Sequence, residues 1–264
     1  MTAAEALRLA VERLAAAGVD TPRVDAELLV AHALGTSRSG VHAAGEREVP
    51  EEFAELLERR SRREPLAYVL GEWGFRRLTL KTDARALVPR PETEVLVERC
   101  LALLRDEAEP RVLDLGTGTG AIALAIVDEH PGARVTGVDT SADAVTLARE
   151  NAERLGLDVE LEVGGIDIAA RGWDLVVANP PYVTASEWDS LQPEIREWEP
   201  RAALVGEGLH EQIARCATTR MLALEVGEGL AAHVAHSLET RGYSGVTITR
   251  DLAGKERVVE GRRR

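Results

Sequence analysis

Cysteine is nearly absent. The 264 residues hold two, Cys100 and Cys216, far apart and without CxxC or Cys/His spacing. A disulfide framework and a structural zinc are both excluded as expectations, no metal site is expected, and the reading is a reducing, cytoplasmic setting. Long apolar runs are missing as well. Hydrophobic residues make up 45% of the chain, yet no stretch approaches the ~20 residues that span a bilayer. The opening MTAAEALRLAVERLAAAG has no basic start, and Glu5 and Glu12 interrupt it, so no secretory signal is expected. Positive charge is in deficit: 32 Lys and Arg stand against 45 Asp and Glu, a net charge of −13. Broad phosphate tracking needs a basic face, so no direct nucleic-acid partner is expected, and the charge favours solubility and basic partners. The terminal GRRR reads as a solvated tail. Repeats and low-complexity tracts are not apparent.

What is present falls into three parts. The first ~65 residues carry helical periodicity. Thr2 and Glu5 form a capping-box pattern ahead of Leu7, Val11 and Leu14. Thr21-Pro22 reads as a cap with proline at the first helical position, Gly35 as that helix's stop, and Pro50 as the start of a third helix after an irregular loop. Residues 66 to 90 change character, and Gly71, Gly74 and the alternation at 77 to 81 suggest a β-hairpin linker. From Arg111 strands and helices alternate, which implies a mostly parallel sheet covered on both faces. Two final strands joined at Ala253-Gly254 are expected as antiparallel edge strands.

The chemistry concentrates in two stretches. DLGTGTGA (114–121) joins the first strand of this region to its helix, and Gly116, Gly118 and Gly120 let the backbone turn tightly against a ligand. Asp139 ends the next strand, where an acid can accept both hydroxyls of an adenosine ribose. NAD and S-adenosylmethionine both fit this pattern. Asp114 can face a methyl donor's ammonium and would repel a pyrophosphate, while the loop N–H groups can take the donor's carboxylate. The second stretch is DLVVANPPYV (174–183). Two prolines end the strand's ladder after Asn179 and leave an amide, stiff carbonyls and a ring at the sheet edge where open α/β folds bind ligands. For a weakly nucleophilic amide or aromatic-amine nitrogen, the Asn179 oxygen and the Pro180 carbonyl can hold the N–H groups, and the Tyr182 ring can stack on the planar group. That favours methyl transfer.

PRPETE (89–94), DLGTGTGAIALA, GVDTS, NPPYV, EWEPRAAL, TPRVDAELLVAHALG, PLAYVLG and the terminal RDLAGKERVVEGR together resemble the HemK-type (PrmC) release factor glutamine methyltransferases, over nearly the whole chain. The resemblance implies a class I S-adenosylmethionine-dependent methyltransferase domain: α/β, Rossmann-like, a mostly parallel seven-stranded sheet. The implied layout is a helical N-terminal substrate-recognition domain (1–65), a β-hairpin linker (66–88) and the methyltransferase domain (89–264). It implies methylation at N5 of the Gln in the GGQ loop of class I peptide chain release factors, by a monomer. S-adenosylmethionine would be held by Gly116, Thr117, Gly118, Thr119, Gly120 and Asp139, with Asp167 and Ile168 near the adenine and Asn179 close by. Asn179, Pro180, Pro181 and Tyr182 would grip the glutamine, with Asn179, Pro180 and Tyr182 as the catalytic set. The segment from about 203 to 221 is shorter than the family pattern. The alternatives are glutamine methylation of a ribosomal protein, N6-adenine methylation of DNA, and a cofactor-binding module without turnover. Trp188 and Trp198 are open to either channel-lining or packing. His233 and His236 read as a solvated face, and Arg90 and Glu92 either border the cofactor pocket or cap the following helix.

Overall fold

Thr2 and Glu5 close the capping box that their spacing predicts. The Thr2 amide donates to the Glu5 carboxylate at 2.9 Å, and the Glu5 amide to the Thr2 hydroxyl at 3.3 Å. They open α1 (Ala3–Ala16) in a computed structural model that describes residues 1–263. Proline starts α2 (Pro22–Leu34), and Gly35 ends it in the left-handed region at φ 60°. Thr21 does not cap; its hydroxyl donates instead to Asp25 at 2.7 Å. The loop before Pro50 contains a short helix, α3 (Arg38–Ala43), started by the Ser37 hydroxyl. Then come α4 (Glu52–Ser61) and α5 (Leu66–Leu70). Leu14, Leu29, Phe53 and Leu57 fill their common core.

This first unit comprises Met1–Glu72 and, unexpectedly, Gln192–Trp198. Its helical part therefore runs beyond residue 65, through α5, and residues 66–70 are helix where the sequence suggested hairpin. The later segment is held by buried charge. Arg60 donates to Asp25 at 2.7 Å and pairs with Glu194 at 2.9 Å. Arg63 makes two bonds of 2.6 Å to the same Glu194. Planar guanidinium groups meet a carboxylate in this forked way where a lysine ammonium cannot.

The second unit runs Trp73–Leu191 and from Glu199 onward. Strands β1 (Glu72–Phe75) and β2 (Leu78–Lys81) form a two-stranded sheet. Phe75, Leu78 and Leu80 are buried with Leu96, Val97 and Leu104 of α6 (Pro91–Leu104). Shared burial makes this hairpin part of the second unit's core, a correction to its reading as a linker. The alternating region follows as β3 (Arg111–Leu115), α7 (Ala121–Glu129), β4 (Arg134–Asp139), α8 (Ala142–Leu155), β5 (Glu160–Val163) and β6 (Trp173–Ala178). After α9 (Pro193–Trp198) come α10 (Leu209–Cys216), β7 (Thr219–Glu225), α11 (Ala231–Thr240), β8 (Ser244–Arg250) and β9 (Glu256–Arg262).

The sheet order is β5-β4-β3-β6-β7-β9-β8, parallel except for β9 with its two neighbours. Successive strand residues point to opposite faces. Val112, Leu175, Val177 and Ala223 enter the core under α6 and α7, while Leu113, Val176, Leu222 and Leu224 enter the one under α10 and α11. Burial on both faces explains the unbroken apolar runs. Only β8 of the last pair is an edge strand. β9 lies inside the sheet, with Val258 and Val259 fully buried. The GRRR reading changes too: Gly261 and Arg262 belong to β9, and the Arg263 guanidinium lies 4.3 Å from the centre of the Tyr243 ring. Arg264 lies outside the described residues.

Candidate active site

Strand register alone assembles the site. β3 pairs Leu115 with Val138 of β4 and with Ala178 of β6, and β6 pairs Ala178 with Leu224 of β7. One residue further along, Asp139, Gly116, Asn179 and Glu225 fall in one row at the carboxyl ends of four adjacent parallel strands. The order reverses between β3 and β6, the switch point where open α/β sheets take ligands.

A cavity of about 470 Å³ opens there, within the usual range for small-molecule sites. Gly116, Thr117, Gly118, Thr119 and Asp139 lie on its wall, as do Asn179, Pro180 and Pro181. Gly116, Gly118 and Gly120 have φ of 81°, 56° and 84°. A side chain is strained at such angles, which is why glycine occupies all three. The Gly116 and Thr117 amides donate to the Val138 carbonyl at 2.7 and 2.9 Å, and Gly120 donates to Thr117 at 2.8 Å. The Gly118 amide donates to Asp139 Oδ2 at 3.0 Å, and Ser141 donates to Asp139 Oδ1 at 2.9 Å. Asp139 thus stiffens the loop and still offers each oxygen's second lone pair. Those four loop amides are engaged within the protein.

Asp114 sits elsewhere than expected. It is fully buried beneath the loop, off the cavity wall, where Oδ2 accepts from the Thr117 hydroxyl at 2.6 Å and the Ala123 amide at 3.2 Å. It anchors the loop to the start of α7.

The Asn179 amide nitrogen donates to the Thr93 hydroxyl at 3.2 Å. Thr93 comes from the PRPETE stretch, whose neighbours Val88, Pro89 and Arg90 also line the cavity. Buried Glu199 fixes that wall, accepting from the Val88 amide at 3.2 Å and from Arg90 at 2.5 Å. Arg90 therefore borders the pocket, while Glu92 does not. The shortened segment still closes its side: α10 supplies Leu209 and Ile213 to the wall.

Comparison with known proteins agrees with this geometry. The PrmC N-terminal domain family matches residues 5–71, and the Methyltransferase small domain family matches residues 92–195. The release factor glutamine methyltransferase of Rhodospirillum rubrum is 42% identical over 96% of this chain and 82% of its own length. That of Deinococcus radiodurans is 42% identical over 97% of each chain. The chain belongs to the release factor glutamine methyltransferase family. Its fold is that of S-adenosylmethionine-dependent methyltransferases. The hMettl16 catalytic domain superposes with a TM-score of 0.57 at 15% identity, covering 79% of this chain and 82% of that one. The T. thermophilus 16S rRNA methyltransferase RsmC, solved with AdoMet and guanosine, gives 0.54 at 18% identity, over 73% and 50%. At such identities the likeness is of fold alone.

Several expected site residues of this methyltransferase lie elsewhere. Ile168 is buried in the core, and Asp167 is exposed; the wall carries Gly164, Gly165 and Ile166 instead. Residues 166–170 form a 3-10 turn, whose threefold period sends Ile166 and Ile168 in different directions. Tyr182 is also off the wall. Its ring stacks on His210, 6.5 Å between centroids, and lies against Gly227, where a Cβ would come within 2.7 Å of it. Gly227 thus makes the slot that holds the ring, and the planar-group stacking read from sequence is not what this ring does here. Gly227→Ala is expected to force the ring aside, destabilise the fold by about 1–3 kcal/mol and lower activity, as urea titration and a methylation assay would measure. Trp188 and Trp198 do not line the cavity either; Trp188 carries the Arg201 guanidinium 5.3 Å from its ring centre. His233 is exposed and bonded to Glu211.

The residue that sequence reading missed is Glu225. Its only signal is an acid closing the apolar run MLALE. Burial pushes its carboxyl up to about 7 from the ordinary 4.5, against the polar side chains of Thr93 and Asn179 and the charge of Arg257. Burial likewise pushes Asp114 up to about 7 from 3.8. Between those ordinary values and about 7 the unfolded chain has lost protons that the folded chain keeps. Stability therefore falls as pH rises through that window and levels off above it. Each group contributes a slope of up to about 1.4 kcal/mol per pH unit. His210, lowered by burial from 6.5, opposes this at the acid end as a single group. The ligand-free protein is expected to melt higher at pH 5.5 than at pH 8, with the difference shrinking in Asp114→Asn.

Proposed function

We propose that this chain transfers a methyl group from S-adenosylmethionine to the side-chain amide nitrogen, N5, of the Gln in the GGQ loop of class I peptide chain release factors. The observation that carries the reading is the shared cavity wall of the glycine loop, Asp139 and Asn179-Pro180-Pro181. Family membership supports the substrate, because the similar proteins are named for release factor glutamine methylation.

The residues present fit the methyl donor. The cavity is large enough, Asp139 keeps acceptor capacity for a ribose, and Ile166 offers an apolar surface where the sequence reading used Ile168. Gly116 to Thr119 form the part of the loop on the wall that would lie along it, whereas Gly120 is off the wall, packed towards Leu124 and Ala148. When bound, S-adenosylmethionine supplies a methyl carbon already activated by its sulfonium.

The protein's part is placement. A carboxamide nitrogen is weakly nucleophilic because its lone pair is delocalised. The Asn179 side-chain oxygen and the Pro180 carbonyl accept its two N–H groups, and proline's fixed φ keeps that carbonyl aimed. Little ordering then remains at the moment of reaction. The nitrogen sheds a proton only after it has gained positive charge, so an early general base is unnecessary. Pro181 lines the wall, while the Tyr182 ring is held off it by His210 and Gly227.

The test is incubation with labelled S-adenosylmethionine and, in separate arms, release factor, ribosomal protein and duplex DNA, followed by mass spectrometry of the GGQ peptide. One added methyl on its glutamine is the expected result. Label only on DNA or on ribosomal protein rejects the reading, and donor binding without turnover in any arm makes the chain a disabled module.

A further inference from the structure

We propose that Glu225 is a positioning residue that fixes which way the Asn179 carboxamide faces, so that its oxygen, not its nitrogen, meets the substrate. This rests on the reading that Asn179 accepts an N–H of the substrate amide.

An asparagine side chain is nearly symmetric in shape, and its two ends differ only in hydrogen bonding. If the NH2 end faced the cavity, the site would present a donor to a donor and methyl transfer would lose its anchor. Something behind Asn179 must therefore select the orientation. Parallel pairing of Ala178 with Leu224 places Glu225 beside Asn179, and Glu225 is 2% exposed. It is not on the cavity wall, whereas Thr93 and Asn179 are, so it can act only through them. The Asn179 nitrogen donates to the Thr93 hydroxyl at 3.2 Å, and both side chains favour the charged form of the neighbouring Glu225 carboxyl. The NH2 end is thus drawn backwards, bonded to Thr93 and facing the carboxylate's charge, leaving the oxygen for the cavity. A flipped amide would set its oxygen against a carboxylate inside the protein, an unfavourable contact with no water to screen it.

Glu225 is held in place along its main chain. Its backbone is pinned by pairing with Val258 of β9, and its carbonyl bonds His210 Nε2 at 2.8 Å. The charged and titratable groups facing it are Arg257 on β9, Glu92 on α6 and Tyr182. Arg257 commits its Nε to Asp251 at 2.9 Å. Glu225 Oε2 has no hydrogen-bond partner among the described residues. A buried oxygen left unpaired is costly, and an apolar residue would fill the same space without that cost. Selecting the Asn179 orientation is the function that explains its presence.

The test is a double-mutant cycle at pH 8.5, where the carboxyl is ionised and only accepts, with release factor as substrate and S-adenosylmethionine saturating. Glu225→Gln keeps the shape but lets either amide end face Asn179; kcat is expected to fall about tenfold or more, with donor affinity within about twofold. Asn179→Asp alone sets two carboxylates together and is expected to lose about a hundredfold or more. When the two substitutions are combined, the introduced glutamine can donate to one oxygen of the introduced aspartate while the other oxygen faces the cavity. The double variant should therefore recover about tenfold over Asn179→Asp. A merely structural role for Glu225 gives no such rescue. Wild-type kcat in Glu225→Gln, or a double loss equal to the product of the single losses, overturns the proposal. If Glu225→Gln lacks a cooperative melt, Thr93→Val carries the test, and an unchanged kcat there overturns it. NMR of the Asn179 side-chain amide gives a readout independent of turnover: the proton bonded to Thr93 protected in the wild type, and that protection lost in Glu225→Gln. Failure of the release-factor reading would instead appear as no methylation by the wild type, with that NMR difference intact.

Discussion

Asn179→Ala is expected to lower kcat about a thousandfold, ~4 kcal/mol of transition-state stabilisation, while S-adenosylmethionine affinity stays within about tenfold, ~1.4 kcal/mol. The split follows from position. Asn179 lies past the end of β6, its nitrogen bonded to Thr93 and its oxygen the group assigned to the substrate amide. The glycine loop and Asp139 hang on other strands and bond to one another, so removing the amide leaves them in place. Deleting a preorganised acceptor aimed at the reacting group removes stabilisation that water cannot replace. Stopped-flow single turnover beside calorimetric titration of the donor would separate the two effects. Equal losses in both would make Asn179 chiefly a support for the methyl donor.

Asp139→Ala is expected to do the reverse. Its carboxylate accepts from Gly118 at 3.0 Å and from Ser141 at 2.9 Å, and its remaining lone pairs are those proposed for the ribose hydroxyls. Loss of it removes the ribose acceptors and frees a loop whose three glycines were held in left-handed conformation. Hydrogen bonds to a charged group are worth about 1.5–3 kcal/mol each. The dissociation constant for S-adenosylmethionine should therefore rise about a hundredfold, ~2.7 kcal/mol. At saturating donor kcat should return to within a few-fold of wild type. A kcat loss that saturation does not repair would place Asp139 in the chemistry itself.

The two substitutions divide the cavity along the line between its halves, and that division is largely legible in the sequence. Glycines that must turn at positive φ, an acid closing a strand and a strand stopped by two prolines are local statements. Each depends on residues within a few positions, so pattern and backbone chemistry suffice. The adenine side is less legible. Ile168 is the cover expected from sequence, but Ile166 lines the cavity and Ile168 fills the core, because the 3-10 turn there follows neither the strand nor the α-helix period. The stacking role expected of Tyr182 fails for a different reason. Nothing near it in sequence reveals Gly227, which makes room for the ring 45 positions later.

The sequence by itself determined the alternation of strands and helices, the loop that needs three glycines, the proline-locked strand end and membership of the methyltransferase family. These are encoded by short-range steric and hydrogen-bonding rules that act before any long-range contact forms. Tertiary structure alone decided that β7 lies beside β6 and so brings Glu225 against Asn179, that β9 slots between β7 and β8, and that residues 192–198 join the helical unit through Glu194 and two arginines. Such juxtapositions depend on which strand finds which neighbour and which buried charge finds its partner. That choice is made by packing the whole chain, and no local window of residues contains it.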